Sequence, residues 1–293
     1  MSRHIGWTLA LIGVTAIWGW SFVAKHENLA TIPASTFNAL TFLMAAVVLL
    51  PFASAGLRRL TRKDWLAGIG AGLVLFIAFS LQTSGVAYTT PSNAGFITGL
   101  CTVFTPLILY LTGKGQPNAR QWVGTVIALV GLGFLSLEDF SVHYGDLLVL
   151  GCAVGFAAHI VVLSRIDSAA PSQVFAFLQL ATVGVLSLVW SLGGGEFEMP
   201  TATGPLLTIA ALALLSTALA YYIQTKAQAV LPAQKVALIL ICEPIFSGIF
   251  GYFMAGDRFT QAKAIGALLI LAGLVFSEWR ASAQEAGGEG VRE

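Results

Sequence analysis

The sequence predicts an all-α membrane protein: ten transmembrane helices, arranged as two inverted five-helix repeats, with both termini cytoplasmic. Three observations lead there. Charged residues make up 10% of the 293 and hydrophobic ones 57%, with a mean hydropathy of +0.83, whereas a soluble domain carries about a quarter charged residues. Ten apolar stretches follow one another, each near the roughly 20 residues of helix that a bilayer core of about 30 Å requires. Motifs of the first half recur in the second at a constant offset.

Taken in order, the spans fall at about 5–24, 33–53, 65–88, 92–112, 119–137, 144–164, 171–192, 204–226, 232–254 and 260–279. The first has nine similar followers and no clear small-residue cleavage site, so it reads as a helix rather than a removable signal. The second opens after "TIPAS", the third after the basic "GLRRLTRKD", the fourth after "TTPSN" and the fifth after "GKGQPNAR". "GGGEFEMP" separates the seventh from the eighth. These connections are too short to hold a soluble domain. The 281–293 tail, "ASAQEAGGEGVRE", is predicted to be disordered and cytoplasmic.

Lys and Arg orient the stack. With the N-terminus inside, the inner segments hold Arg3, Arg58, Arg59, Arg62, Lys63, Lys114, Arg120, Arg165, Lys226, Lys235, Arg280 and Arg292, twelve in all. The outer segments hold three: Lys25, Arg258 and Lys263. The net charge of +1 gives no sign of a nucleic-acid partner. Cys101, Cys152 and Cys242 lie inside apolar segments without disulfide or metal spacing, and pack as small apolar residues. No metal or cofactor is expected.

The repeat is clearest between "QWVGTVIALVGLGF" and "KAIGALLILAGLVF". Gly124 matches Gly266, Gly131 matches Gly273 and Phe134 matches Phe276, all 142 residues apart. The same offset joins Gln82–Thr83 to Gln224–Thr225, and Pro106 matches Pro244 across a short gap. Five spans per half force the second half to enter from the opposite side. The predicted units are 1–138 and 139–280. An inverted repeat around a midplane site is the plan of many secondary transporters.

The chain resembles the drug/metabolite transporter superfamily in its ten-helix EamA-type branch. The residues that carry the resemblance are "AIWGWSFVAKH" in helix 1, "CEPIFSGIFGYFMAGDRFT" across helices 9 and 10, and the two "GxxxxxxG" helices. Within the branch it is most similar to the YddG-type exporters of aromatic and hydrophobic amino acids. The resemblance implies a small-molecule substrate and a central cavity lined by helices 1, 3, 4, 6, 8 and 9. Helices 5 and 10 would form a scaffold behind it. The chain departs from symmetry at one point: helix 4 carries Thr105 before its proline where helix 9 carries Glu243.

Several polar residues fall at mid-span. Glu243 lies eight residues beyond Lys235, roughly 12 Å into the bilayer at 1.5 Å per residue. A carboxylate there must face the bundle interior, a partner or water. It is a candidate for binding a proton or a substrate amine; a structural carboxyl repairing the Pro244 kink is the other reading. Pro106 and Pro244 cannot donate to Thr102 and Leu240, so each weakens its helix and reads either as a hinge or as a static kink. His159 reads as a proton or carboxylate contact, or as a histidine bonded to a nearby group. Asn93 and Thr98 belong to a polar run in helices 3 and 4 too dense for a lipid face. Gln82 and Gln224 are expected to cap opposite ends of the pathway. Trp18, Trp20, Tyr221 and Phe246 are candidates for the cavity wall. Trp7, Trp65, Trp122 and Trp279 sit at span ends, as interface anchors do.

The expected function is export of small amphipathic metabolites, above all amino acids, by alternating access. The chain should act as a monomer in the inner (plasma) membrane. A proton-coupled drug or organic-cation antiporter is the alternative. An enzyme is not expected: no serine stands in a GxSxG setting and His159 has no partner nearby in sequence.

Overall fold

A computed structural model describes residues 3–113, 118–138, 141–166, 171–228, 231, 236 and 239–278. The helices, in order, are α1 (Arg3–Leu29), α2 (Ala34–Leu57), α3 (Arg62–Val86), α4 (Pro91–Gly99), α5 (Cys101–Leu111) and α6 (Ala119–Ser136), then α7 (Tyr144–Leu163), α8 (Ser172–Gly193), α9 (Thr203–Ala211), α10 (Ala220–Gln228), α11 (Cys242–Phe250) and α12 (Gln261–Glu278). A two-residue antiparallel pairing of Leu137–Glu138 with Ser141–Val142 joins α6 to α7. Among the described residues, seven helices are long and apolar enough to cross a membrane. Ala119–Leu135 and Gln261–Ser277 are shorter apolar helices. The predicted ninth span is described mainly from Ile239 onward, and the predicted disordered tail lies outside the described residues.

Turn chemistry sets the boundaries. Pro33 precedes α2, and Thr61 begins α3 with a reciprocal cap: its hydroxyl accepts from Asp64 N at 3.2 Å while Asp64 Oδ2 accepts from Thr61 N at 2.9 Å. At α4, Thr90 accepts from Asn93 N at 3.2 Å, and Pro91 fills the first turn, where its missing N–H costs nothing.

Polarity is turned outside in. Val47, Phe52, Val126, Val189 and Leu268 are exposed, while Lys25, Asn38, Gln82, Asn93, His159 and Gln179 are buried. Lipid must cover such a surface, and the interior is where polar groups find partners.

The main helix contacts pair off when the two halves are exchanged. α6 packs on α12 and α2 on α8. The contact of α3 with α8 is matched by that of α2 with the turn joining α9 to α10. Likewise α3 with α7 is matched by α1 with α10, and α1 with α11 by α4 and α5 with α7. The glycine register explains the α6–α12 pair. A methyl group on Gly124 would lie 2.6 Å from the Gly273 carbonyl oxygen, and one on Gly273 2.5 Å from that of Gly124. Gly131 and Gly266 block each other in the same way at 2.7 Å. Only glycine lets the two backbones approach so closely.

Candidate functional site

Two helices that cross the interior are broken. Regular α-helical bonding is interrupted at Leu100, between α4 and α5, where the N–H tightens onto Ile97 O at 3.1 Å, and at Ile241, just before α11; their ψ angles are −13° and −18°. The breaks fall next to the weak points expected from Pro106 and Pro244. Each proline denies its helix a hydrogen bond. Around the first break, threonine hydroxyls take up carbonyls: Thr102 donates to Gly99 O at 3.0 Å and Thr105 to Cys101 O at 2.8 Å. Pro244 is buried against Gly99, and Ser247 sits against Gly95 so closely that no side chain fits between them. α11 is therefore pressed into α4 and α1.

A third irregularity was not legible in the sequence. Between α9 and α10 the helix widens to π geometry over Leu212–Leu219. A π turn frees backbone carbonyls, often at functional positions. Here Trp18 Nε1 donates to Ser216 O at 2.8 Å, and Thr217 donates to Leu212 O at 3.1 Å. Trp18 is thereby fixed, its ring edge-on to Tyr221 at 6.3 Å.

These elements surround a polar centre. Glu243 is half-buried there, within electrostatic reach of Lys25, Tyr221 and Cys101. Lys25 Nζ donates to Gln82 Oε1 at 2.7 Å and stands 5.6 Å and 5.5 Å from the Phe22 and Phe79 ring centres. Gln82 Nε2 reaches Thr98 at 3.5 Å, and Thr98 also bonds the Cys152 thiol. Behind Phe79 lie Phe42 at 4.6 Å and Phe156 at 5.0 Å. Asn38 donates to Phe79 O at 3.3 Å and accepts from Thr83 at 2.8 Å, which holds α2 against α3.

Lys25 requires a correction. Sequence reasoning placed it in an outer loop, but α1 continues to Leu29 and buries it inside the bundle. The charge count therefore loses one outer residue. The titratable groups of the centre come from both halves, because Lys25 belongs to the first and Glu243 to the second. The clue was present in "SFVAKHENL", whose helix continues one turn past the lysine.

The remaining sequence candidates are dispersed. His159 Nε2 meets Gln179 Oε1 at 2.5 Å, and Gln179 donates to Phe175 O at 3.0 Å, so the histidine ties α7 to α8. Trp20 packs with Ala24, Ile32, Phe37, Ile209 and Leu212, away from Trp18. Asn93 is buried in the first turn of α4. Phe246 stacks on Phe250 at 6.3 Å. Gln224 is half-buried in α10, and Pro106 half-buried in α5.

The two ends of the centre differ. At the end carrying the 29–34 and 86–91 turns, Thr89 bonds Asp146, Asp257 accepts from Ser92 N at 2.9 Å, His26 meets Val86 O at 2.8 Å and Ser35 donates to Glu196 at 2.7 Å. At the opposite end a cleft of about 80 Å³ opens among Leu49, Ser172, Gln173, Ala176, Tyr221, Tyr222 and Lys226. Tyr221 thus lines the cleft and also lies within electrostatic reach of Glu243.

Known proteins share this architecture. A solved crystal structure superposes with a TM-score of 0.65 over 94% of this chain and 98% of its own, at 23% identity, which establishes a common fold. An uncharacterized transporter of Archaeoglobus fulgidus is 30% identical over 274 residues, 93% of this chain and 85% of its own length. The biotin transporter of Salmonella typhimurium is 26% identical over 218 residues, 72% of this chain and 73% of its own. The profile of the EamA-like transporter family matches twice, at residues 5–137 and 143–279. A match that begins again halfway, in a bundle whose main contacts pair off when its halves are exchanged, leaves one conclusion: this chain belongs to the EamA-like transporter family.

Proposed function

We propose that the chain exports small amphipathic metabolites, foremost aromatic or hydrophobic amino acids, across the inner (plasma) membrane. In this reading ten spans form two inverted five-helix repeats, 1–138 and 139–280, with both termini cytoplasmic. The protein works as a monomer. The observation that carries the reading is Glu243 set inside the bundle within electrostatic reach of Lys25 and Tyr221, with a cleft that Tyr221 also lines at one end and hydrogen bonds between elements at the other. A small solute could occupy such a centre, and Glu243 would receive its amine or a proton.

Trp18, Tyr221 and Phe246 then offer the wall for an apolar side chain, with Trp20 behind. Asn93, Thr98 and His159 supply polar contacts or hold the helices that do. Pro106 and Pro244 are the hinges, one per repeat, supported by the helix breaks beside them. Gln82 and Gln224 act as gates, capping opposite ends of the path. Rocking one repeat against the other would open and close the two ends in turn.

The test is a liposome flux screen with the purified chain, across amino acids, organic cations and biotin, with and without a pH gradient. Downhill flux of a hydrophobic or aromatic amino acid is expected. No amino acid flux, with folded protein, removes this substrate class. Biotin enters the panel because a relative bears its name. An organic cation fits less well: it would approach Glu243 in the field of the Lys25 ammonium.

A further inference from the structure

We propose that Lys25 anchors the carboxylate of the transported solute, with Gln82 holding the ammonium in place between turnovers. The site therefore selects carboxylate-bearing metabolites. This rests on the export reading above and names the charge its substrate must carry.

An ammonium buried among helices is expensive unless something offsets its desolvation. Lys25 is 9% exposed. Among the described residues its hydrogen-bond acceptor is the neutral Gln82 amide, and two ring faces, Phe22 and Phe79, add a weak attraction. An ammonium has three donors, and a single amide oxygen engages one. A purely structural lysine would be better served by a direct carboxylate contact. Glu243 lies within electrostatic reach of Lys25 without being its hydrogen-bond acceptor.

The geometry suits an exchange of acceptors. When a solute carboxylate enters, the ammonium keeps its place over the rings and gains a charged acceptor, which makes a stronger bond than an amide does. The Gln82 side chain, already within reach of Thr98, has a second partner to turn to. A zwitterion would satisfy both ends at once, its carboxylate at Lys25 and its amine at Glu243. Carboxylates without an amine would still gain the Lys25 contact. Amides and esters would offer only a neutral acceptor there, no better than the Gln82 amide they displace.

The experiment compares efflux of phenylalanine, phenylalaninamide and 3-phenylpropionate from liposomes holding the full chain. Wild type is expected to favour phenylalanine over its amide by about tenfold, the equivalent of one charge-assisted contact. In Lys25→Met that ratio should fall close to one. Gln82→Glu presents the ammonium with an internal carboxylate and should raise the half-saturation concentration for phenylalanine and phenylpropionate alike. It keeps the side-chain volume, so it carries the test if Lys25→Met does not fold. An unchanged phenylalanine-to-amide ratio in Lys25→Met, or an unchanged half-saturation in Gln82→Glu, overturns the proposal while leaving the export reading intact. If folded wild type moves none of the three solutes nor any other amino acid, the export reading itself fails, and Lys25 falls with it.

Discussion

The α6–α12 pair and the α4–α5 and α11 crossing are built from the same repeat, yet they solve opposite problems. In α6 and α12 the helices run unbroken, and glycines of each half meet carbonyls of the other reciprocally. The close approach of the two backbones leaves that contact one tight arrangement. In α4–α5 and α11 both helices break beside a proline, carbonyls are taken up by Thr102 and Thr105, and Glu243 appears where the first half has Thr105. A backbone contact that only glycine permits keeps its sequence in both copies. A site that must read an asymmetric solute is free to diverge, and here one charge comes from each half, Lys25 and Glu243.

If that contrast is right, substitutions in the two regions should fail differently. The largest effect is expected from Gly131→Leu. Its side chain would collide with the backbone of α12, and overpacking of this kind costs about 3 kcal/mol. Thermal unfolding in detergent should show the loss. A melting temperature equal to wild type would mean the close approach is not a structural requirement. Next comes Glu243→Gln, which keeps the volume and removes the charge. Transport should drop by about tenfold, or ~1.4 kcal/mol of barrier, with the unfolding temperature much less affected. A fully active Glu243→Gln variant, with flux independent of pH, would reassign the carboxylate to repair of the kink.

Trp18→Phe should cost about 1 kcal/mol of stability by orphaning the Ser216 carbonyl at the π turn. It should also weaken transport by loosening Tyr221. An unfolding temperature equal to wild type would mean the widened turn does not depend on that bond. The smallest effect is expected for Pro244→Ala: about a threefold slower flux, through a helix restored near Ile241 and harder to flex. Faster flux would argue that the proline is a static kink.

The spans were legible because hydropathy integrates over about 20 residues and tolerates local error. The glycine register was legible because an equal offset at three positions is hard to produce by accident. The breaks could be anticipated from Pro106 and Pro244, since a missing N–H is a covalent fact. Lys25 was misplaced because a basic residue near a span end usually belongs to the loop, and only the continuation of α1 to Leu29 decides otherwise. The partner of His159 lies on the next helix, at Gln179, and no local spacing announces it. The π turn leaves no residue signature, for it arises where the helix meets Trp18 from elsewhere in the chain.

The central claim, a carrier whose two halves alternate around Glu243, is tested most directly by counterflow. Liposomes holding the chain are loaded with labelled phenylalanine, and efflux is timed with and without unlabelled phenylalanine outside. The account predicts faster efflux when external substrate is present, and loss of that acceleration in Glu243→Gln. Efflux that is rapid but indifferent to external substrate would indicate a pore and contradict it.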